Sequence, residues 1–452
     1  MDENHRTLMK LFNCIEEDNC EPNQGKVVIL NSYHFKGGLW GWTSGEDIWC
    51  IAGLKNMGYS YLYAAEIDRA VTLYQMFPDL VRGVLMEDGD VTKCFENTLD
   101  CVKSDVNLDG IPVWKLFSFY FWASPNHPLG SKWTLSPENY TTEWEDNTNT
   151  YLGYSVELSC LSHPDHPEFS YWVPPDERPE GQAYIFAKRQ SYFAPQRDLA
   201  FPLSFWDRAA KRTGVRFVAG AENDKEERAR RKDMPKLDGE VPEVLPESIT
   251  NYGLLPQSDF VDAIAHSRLL VGVGNPIISP TPYEALCLGV PFINPILRWD
   301  TKNPMNRREW DSQHAGLKWL DPPYVYNVFK DDEEGFLKAI EAALSTPIES
   351  YILPRMTMAA VEGRLSAILE ADWKKEAELV LEERRRQGSG AKVCSVLSYQ
   401  WKFRPTSSFF VAAFHAIASP AVPRRIRIGI HEYFTFFHHP SSFFHAISHQ
   451  HQ

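Results

Sequence analysis

Residues 269–295 read LLVGVGNPIISPTPYEALCLGVPFINP, and this stretch decides the fold class. Leu269–Val273 and Val290–Ile293 are short, unbroken apolar runs, the pattern of strands buried on both faces of a parallel sheet. Between them lie a loop rich in Gly, Pro, Ser and Thr and a short helical segment. Thr281 suits an N-cap, and Pro282 suits the first helical turn, where a missing N–H costs nothing. Strand, loop, helix and strand make a βαβ crossover. The loop, with Gly274 in it, aims a helix N-terminus at the crevice outside the strand ends, where phosphate-bearing ligands bind. Glu284 lies at the start of that helix and has two chemical uses. It can accept two hydrogen bonds from a ribose diol, or it can complement the helix dipole, worth about 0.3–1 kcal/mol. One Gly-rich turn does not choose between them, so the flanking segments decide.

Outward from this block the alternation of strand and helix repeats. Upstream, Ala183–Ala187 is a buried strand, Phe205–Thr213 a helix stopped by Gly214, Arg216–Ala219 a strand, and Ser258–His266 a helix. Residues 221–241 are a dense charge run, read as a solvated loop or helix. Downstream, 333–345 and 356–386 read as helices, the second amphipathic and increasingly charged. Near the start, Lys26–Asn31 is a buried strand followed by a glycine-bearing loop, a helix over Glu46–Met57 ending at Gly58, and a strand over Tyr59–Ala64. Residues 161–180, rich in Pro, Asp and His, read as a linker. The expected organisation is a poorly ordered 1–25, a first Rossmann-like unit over 26–160, the linker, a second unit over 181–386, and an irregular tail over 387–452. This is an α/β fold of two Rossmann-like domains facing a cleft.

Composition narrows the function. The 452 residues are 43% hydrophobic and 23% charged, ordinary for a globular chain long enough for two domains. A net charge of -14 without a basic stripe before the tail argues against a nucleic-acid partner. Aromatics reach 13%, mostly core, with some suited to stacking on sugar rings. No run of 18 apolar residues is present, so no membrane span is legible. Met1–Lys26 lacks a signal-peptide core. The eight cysteines fit neither a zinc ribbon nor a redox pair. Cys50 and Cys287, in apolar helical patterns, read as buried free thiols; the others can pair in a luminal protein, with connectivity unreadable. Asn139–Thr141 is a glycosylation sequon, a weak pointer to the secretory route. The tail holds half of the 14 histidines at spacings that fit no metal-ligand pattern.

Residues 251–320 resemble the catalytic domain of glycosyltransferase family 18, the α-1,6-mannosyl-glycoprotein 6-β-N-acetylglucosaminyltransferases. The residues that carry this are Tyr252-Gly253-Leu254-Leu255, the 269–295 block, and Asp311-Ser312-Gln313-His314. Weaker similarity extends over roughly Lys26–Glu382, including AYIFAKRQSYF and SKWTLSPENY…YLGYSVE. The resemblance implies a GT-B architecture and UDP-N-acetylglucosamine as donor, with inversion at the anomeric carbon and no metal or other cofactor. The implied acceptor is the 6-hydroxyl of an α-1,6-linked mannose on the N-glycan of a glycoprotein. It also implies a Golgi location through an N-terminal membrane anchor, which this chain does not display.

Inverting transfer needs a base for the acceptor hydroxyl and stabilisation of the leaving diphosphate. With the resemblance, the second task falls to the Pro280–Glu284 helix start and to Lys188, which is otherwise an exposed loop lysine, and Glu284 binds the ribose. Asn251–Leu255, with Gly253 and Leu254, form a uracil pocket through backbone groups or a plain strand entry, while Gln313 and His314 lie on a loop closing over the donor, His314 serving equally as a satisfied structural histidine. Glu46 and Asp47, at the start of a first-unit helix, are the candidate bases, with His34 in reserve; they serve equally as dipole partners behind a Ser44 cap. Two departures from the family stand out. Animal members have a longer loop with an earlier glutamate followed by Ser-Gly, and a lysine where this chain has Ile296, for which Arg298 or Lys302 would have to substitute. The alternatives are a GT-B transferase with another acceptor and an inactive sugar-nucleotide-binding relative.

Overall fold

The computed structural model describes residues 3–35, 45–96, 99–121, 127–139, 149–160, 171–194, 198–230 and 245–388. Six strands form the first sheet: β1 (Val27–Asn31), β2 (Ser60–Tyr63), β3 (Val81–Glu87), β4 (Leu116–Phe119), β5 (Thr134–Ser136) and β6 (Thr150–Tyr151). Their order is β2-β1-β3-β4-β5-β6, and every neighbouring pair is parallel. The second sheet holds β7 (Gln182–Phe186), β8 (Arg216–Ala219), β9 (Ile249–Asn251), β10 (Leu269–Gly272), β11 (Phe292–Arg298), β12 (Asp311–Ser312) and β13 (Val325–Phe329). Its order is β12-β11-β10-β7-β8-β9, with β13 also on β11. Only β12 is antiparallel, at the far end of β11. All five residues of β1 and of β7 are buried, as strands covered by helices on both faces require, with polar Asn31 and Gln182 only at their ends.

The strand order places the ligand crevices. In a doubly wound sheet they open outside the carboxyl ends of adjacent strands whose connections run to opposite sides. The first sheet reverses between β1 and β3, the second between β7 and β10. The first crevice is therefore flanked by Ser32–His34 and Glu87–Asp88, the second by Ala187–Lys188 and Val273–Gly274. Two Rossmann-like α/β units of this kind make the GT-B architecture.

Local signals set most boundaries. Gly214 takes a left-handed conformation (φ 73°) and its N–H returns to the Ala210 carbonyl, closing the Leu203–Thr213 helix. Asp332 caps the Glu333–Ser345 helix through the Gly335 N–H. Within 356–386, two caps make two helices where one was expected. Thr357 caps Met358–Glu370 and Asp372 caps Trp373–Arg386. Both helices leave the second sheet and pack on the first. Trp373 stacks edge-on against Phe117, with ring centroids 4.9 Å apart, and lies 5.1 Å from Trp133. Glu370 binds Lys26 and Tyr59, and Glu362 accepts from Asn56. The second unit is thus shorter than the expected 181–386.

Two further expectations are corrected. The N-terminal segment is ordered: Glu3–Glu16 is a helix with Leu11 buried, tied by a Cys14–Cys20 disulfide. Its Asn4 side chain pairs with both the N–H and the carbonyl of Tyr63, covering polar backbone on the edge strand β2. Cys287 is not a free thiol but is bonded to Cys160, and Cys94 is bonded to Cys101. The Cys160 and Cys287 α-carbons are 5.7 Å apart, which a disulfide spans. The described part of the linker, 171–180, is anchored by Arg178. Its buried guanidinium donates to the carbonyls of Val173, Leu288 and Gly289, linking this segment to the second unit. The Cys50 side chain, Cys394 and the tail from 389 lie outside the described residues. Among the described residues no helix is long and apolar enough to cross a membrane.

Candidate functional site

The loop from β10 and the helix it feeds occupy the second crevice. The helix runs Thr281–Cys287, one residue earlier than a Thr281 cap would allow. Pro280 takes the cap position, and its carbonyl accepts from the N–H groups of Tyr283 (2.8 Å) and Glu284 (3.0 Å). Pro282 has no N–H to offer. The first turn is therefore largely satisfied internally rather than an open amide cradle. Every residue of the helix is buried, and Glu284 is 5% exposed. The carboxylate expected to meet a ribose is enclosed by the protein.

Gln313 and His314 hold this loop from inside, the structural of the two roles open to His314. Gln313 Oε1 accepts from the Gly274 N–H (2.8 Å) and its Nε2 donates to the Pro276 carbonyl (3.1 Å). The Gln313 carbonyl accepts from the Ile278 N–H at 3.0 Å. His314 Nε2 donates to the Ser279 carbonyl at 3.0 Å, and burial lowers the imidazole to about 3, so it is neutral. The loop is strained: Ile278, a β-branched residue, sits at φ 48°. Gly274 takes φ 112°, and a Cβ there would lie 2.4 Å from the Asp198 carbonyl oxygen. Only glycine fits at that point.

The remaining donor-side candidates spread along the strand ends. Lys188 follows β7 at the switch point, half-buried, and its carbonyl accepts from the Glu222 N–H (2.9 Å). Gly253 (φ 71°) and Leu254 follow β9, two strands beyond β7; Leu254 is 60% and Tyr252 53% exposed. They flank the second crevice instead of lining its centre. Ile296 is buried in β11. Arg298 is committed to Asp311 (2.8 Å) and Asp198 (3.1 Å), while Lys302 is exposed.

At the first crevice, Glu46 and Asp47 fall in the first turn of the Gly45–Asn56 helix, with side chains outside the described residues. His34 is buried against Phe119 and Phe121 (ring centroids 5.4 and 4.8 Å), and burial lowers it to about 3. Two carboxylates absent from the sequence reading stand here. Glu87 ends β3 and accepts from Ser32 Oγ across the switch point; Asp88 accepts from Ser118 Oγ at 2.8 Å. Their signal in the sequence is a pair of acids directly after the apolar run of β3.

A third carboxylate joins the two units. Glu138, just beyond β5, is 7% exposed. Its Oε1 accepts from the Tyr154 hydroxyl (2.8 Å) and its Oε2 from the hydroxyl of Tyr283, in the second-unit helix (3.1 Å). Arg355 donates weakly to the Tyr283 hydroxyl (3.4 Å) and to the Gly316 carbonyl (3.3 Å). Burial raises Glu138 to about 7 against the opposing pull of Tyr154, Arg355 and Tyr283. Lone polar residues 145 positions apart carry no local signal of such a contact.

Residues 235–414 match the model of Glycosyltransferase family 18. The human alpha-1,6-mannosylglycoprotein 6-beta-N-acetylglucosaminyltransferase A is 29% identical over 136 residues, which cover 28% of this chain and 18% of that one. The mouse B enzyme is 27% identical over 138 residues, 28% of this chain and 17% of that one. The Caenorhabditis elegans enzyme is 24% identical over 258 residues, 55% of this chain and 33% of that one. The chain thus aligns with a third or less of each of these relatives. Among solved structures, the sucrose-phosphate synthase of Thermosynechococcus elongatus is 11% identical, covering 81% of this chain and 100% of that one with a TM-score of 0.42.

Proposed function

We propose that this chain is an inverting glycosyltransferase that moves N-acetylglucosamine from UDP-N-acetylglucosamine to the 6-hydroxyl of an α-1,6-linked mannose on N-glycans. The observation that carries the reading is a coincidence of two independent facts. The family match over 235–414 takes in the β10–loop–helix block, and the β10 strand of that block lies at the switch point of the second sheet. In this reading Lys188 offsets charge on the leaving diphosphate, with the dipole end of the Thr281–Cys287 helix behind it and no metal required. Glu284 accepts from the ribose hydroxyls, and Asn251–Leu255 border the uracil. The base comes from the first crevice, where Glu87 joins Glu46 and Asp47 as a candidate. Because Glu284 is 5% exposed, donor entry requires the groups covering it to withdraw. Three disulfides suit folding in an oxidising compartment and support a Golgi-luminal location.

The enclosure of Glu284 and the apolar Ile296 favour a second reading, a relative that binds sugar nucleotides without turning them over. The test is UDP release from UDP-N-acetylglucosamine, with and without an N-glycan acceptor presenting an α-1,6-linked mannose. The transferase reading expects acceptor-dependent release and a loss of about 100-fold or more in Glu284→Ala, the scale of one or two charge-assisted hydrogen bonds. Binding without release supports the second reading, and absence of both refutes the donor site.

A further inference from the structure

We propose that Glu138 is a positioning residue for the donor site: reaching across from the first unit, it fixes the Thr281–Cys287 helix through the Tyr283 hydroxyl. The inference rests on the donor-site reading above. Its grounds are geometric. The two carboxylate oxygens take one hydroxyl from each unit, Tyr154 from the first and Tyr283 from the second. The Tyr283 ring meets the His314 ring edge-on at 4.6 Å, and His314 holds the Ser279 carbonyl at the helix entrance. Gly316 makes room for this, since a Cβ there would lie 2.4 Å from the Tyr283 hydroxyl. The route from Glu138 thus ends at the residues flanking Glu284. On the same helix, Cys287 is bonded to Cys160 of the first unit, so the helix is held to that unit at both ends.

Glu138 is also poised to make this hold depend on its proton. The groups facing it are Tyr154, Tyr283, Arg355 and Tyr151, with Arg364 behind Arg355 and Tyr151. An ionised carboxylate accepts from both tyrosines through charge-assisted bonds; a neutral carboxyl loses that charge, and its O–H turns one of the two contacts into a weaker donation to a tyrosine oxygen. With burial raising the group to about 7, the exchange falls near neutral pH. Ionisation tightens the link to Tyr283, and protonation loosens it.

The test is UDP binding by calorimetry from pH 5.5 to 8.5 for the wild type, Glu138→Gln, Tyr283→Phe and the double variant, with Tm recorded for each. UDP titrates its own terminal phosphate near pH 6, so the informative quantity is the ratio of wild-type to variant affinity at each pH. The expected ratio to Glu138→Gln rises through pH 7 to about tenfold, the scale of one hydrogen bond. Tyr283→Phe should reproduce the loss, and the double variant should add little to either. A Glu138→Gln protein whose Tm falls while its UDP affinity and pH profile match the wild type overturns the inference and leaves the donor site standing. If Glu138→Gln does not fold, an unchanged affinity and pH profile in Tyr283→Phe overturns it equally. A wild type that binds no UDP overturns the donor site and this role together.

Discussion

Removing the Gln313 side chain should unfasten the strained loop ahead of the Thr281–Cys287 helix. Gln313 fills one Gly274 N–H and one Pro276 carbonyl, and it is 1% exposed. Water has no ready access, so Gln313→Ala leaves two buried backbone groups without partners, at about 1–3 kcal/mol each. Truncation also leaves a void. Against this, the loop can relax around Ile278, whose φ of 48° stores about 1–3 kcal/mol. The net expectation is a loss of about 2–4 kcal/mol, carried by the second unit. Urea unfolding followed by a second-unit tryptophan signal measures the loss. Hydrogen exchange locates it, since the Gly274 amide should lose its protection first. Gln313→Glu is the discriminating control: it keeps the acceptor for Gly274 but sets a carboxylate oxygen against the Pro276 carbonyl, so it should do no better than alanine. Gly272→Ala should cost more than either, because its Cβ would displace the Gln313 side chain and also lie 2.6 Å from Pro295 Cδ and 2.9 Å from the Ile293 carbonyl oxygen. Gln313→Ala within about 0.5 kcal/mol of the wild type, with the Gly274 amide still protected, would refute the clamp.

Arg178→Ala should destabilise the protein by about 3–5 kcal/mol, because the carbonyls of Leu288 and Gly289 each lose a charge-assisted donor at 2.6 Å. Burial lowers this guanidinium only to about 10, so it stays charged at neutral pH, and Arg178→Lys should recover part of the loss in urea midpoints. Acid should weaken the fold through His34, His127 and His314, each lowered by burial to about 3 from 6.5. Such a group contributes stability that is present above pH 6.5 and lost as pH falls, so moving from pH 7 to 5 costs about 2 kcal/mol per histidine. Glu138, raised to about 7 from 4.5, acts in the opposite sense: its contribution is complete below 4.5 and lost as pH rises through 7. It offsets about 2 kcal/mol of the acid loss, leaving about 3–4 kcal/mol overall. Glu138→Gln should therefore be the more acid-sensitive protein in urea titrations at pH 5 and 7, and equal sensitivity would contradict a raised Glu138.

What the sequence made legible is what neighbouring residues determine. The buried strands over 27–31, 183–186, 216–219 and 269–272, and the Gly214 stop, follow from apolar runs and turn chemistry within a few positions, and they are present. The same signals, repeated twice in βα order, were enough for two Rossmann-like units. Length of periodicity misled at 356–386, because an amphipathic pattern passes unchanged through Ala371-Asp372, while a good N-cap at Asp372 starts a new helix. The site was less legible, for a physical reason. A residue type at a helix start names a capability, such as an acid that can accept from hydroxyls; whether that capability faces a ligand or the protein interior depends on groups far away in the chain. Glu284 is enclosed, and Gln313 and His314 pin the loop, so the structure takes the structural of the two roles that the sequence left open for His314. Glu138 shows the converse. Between Pro137 and Asn139 nothing sets this acid apart, and its role arises only where β5 and the Thr281–Cys287 helix bring it to Tyr283. The residues that hold two units in register are contributed singly by each, so their pattern exists in space and has no counterpart along the chain.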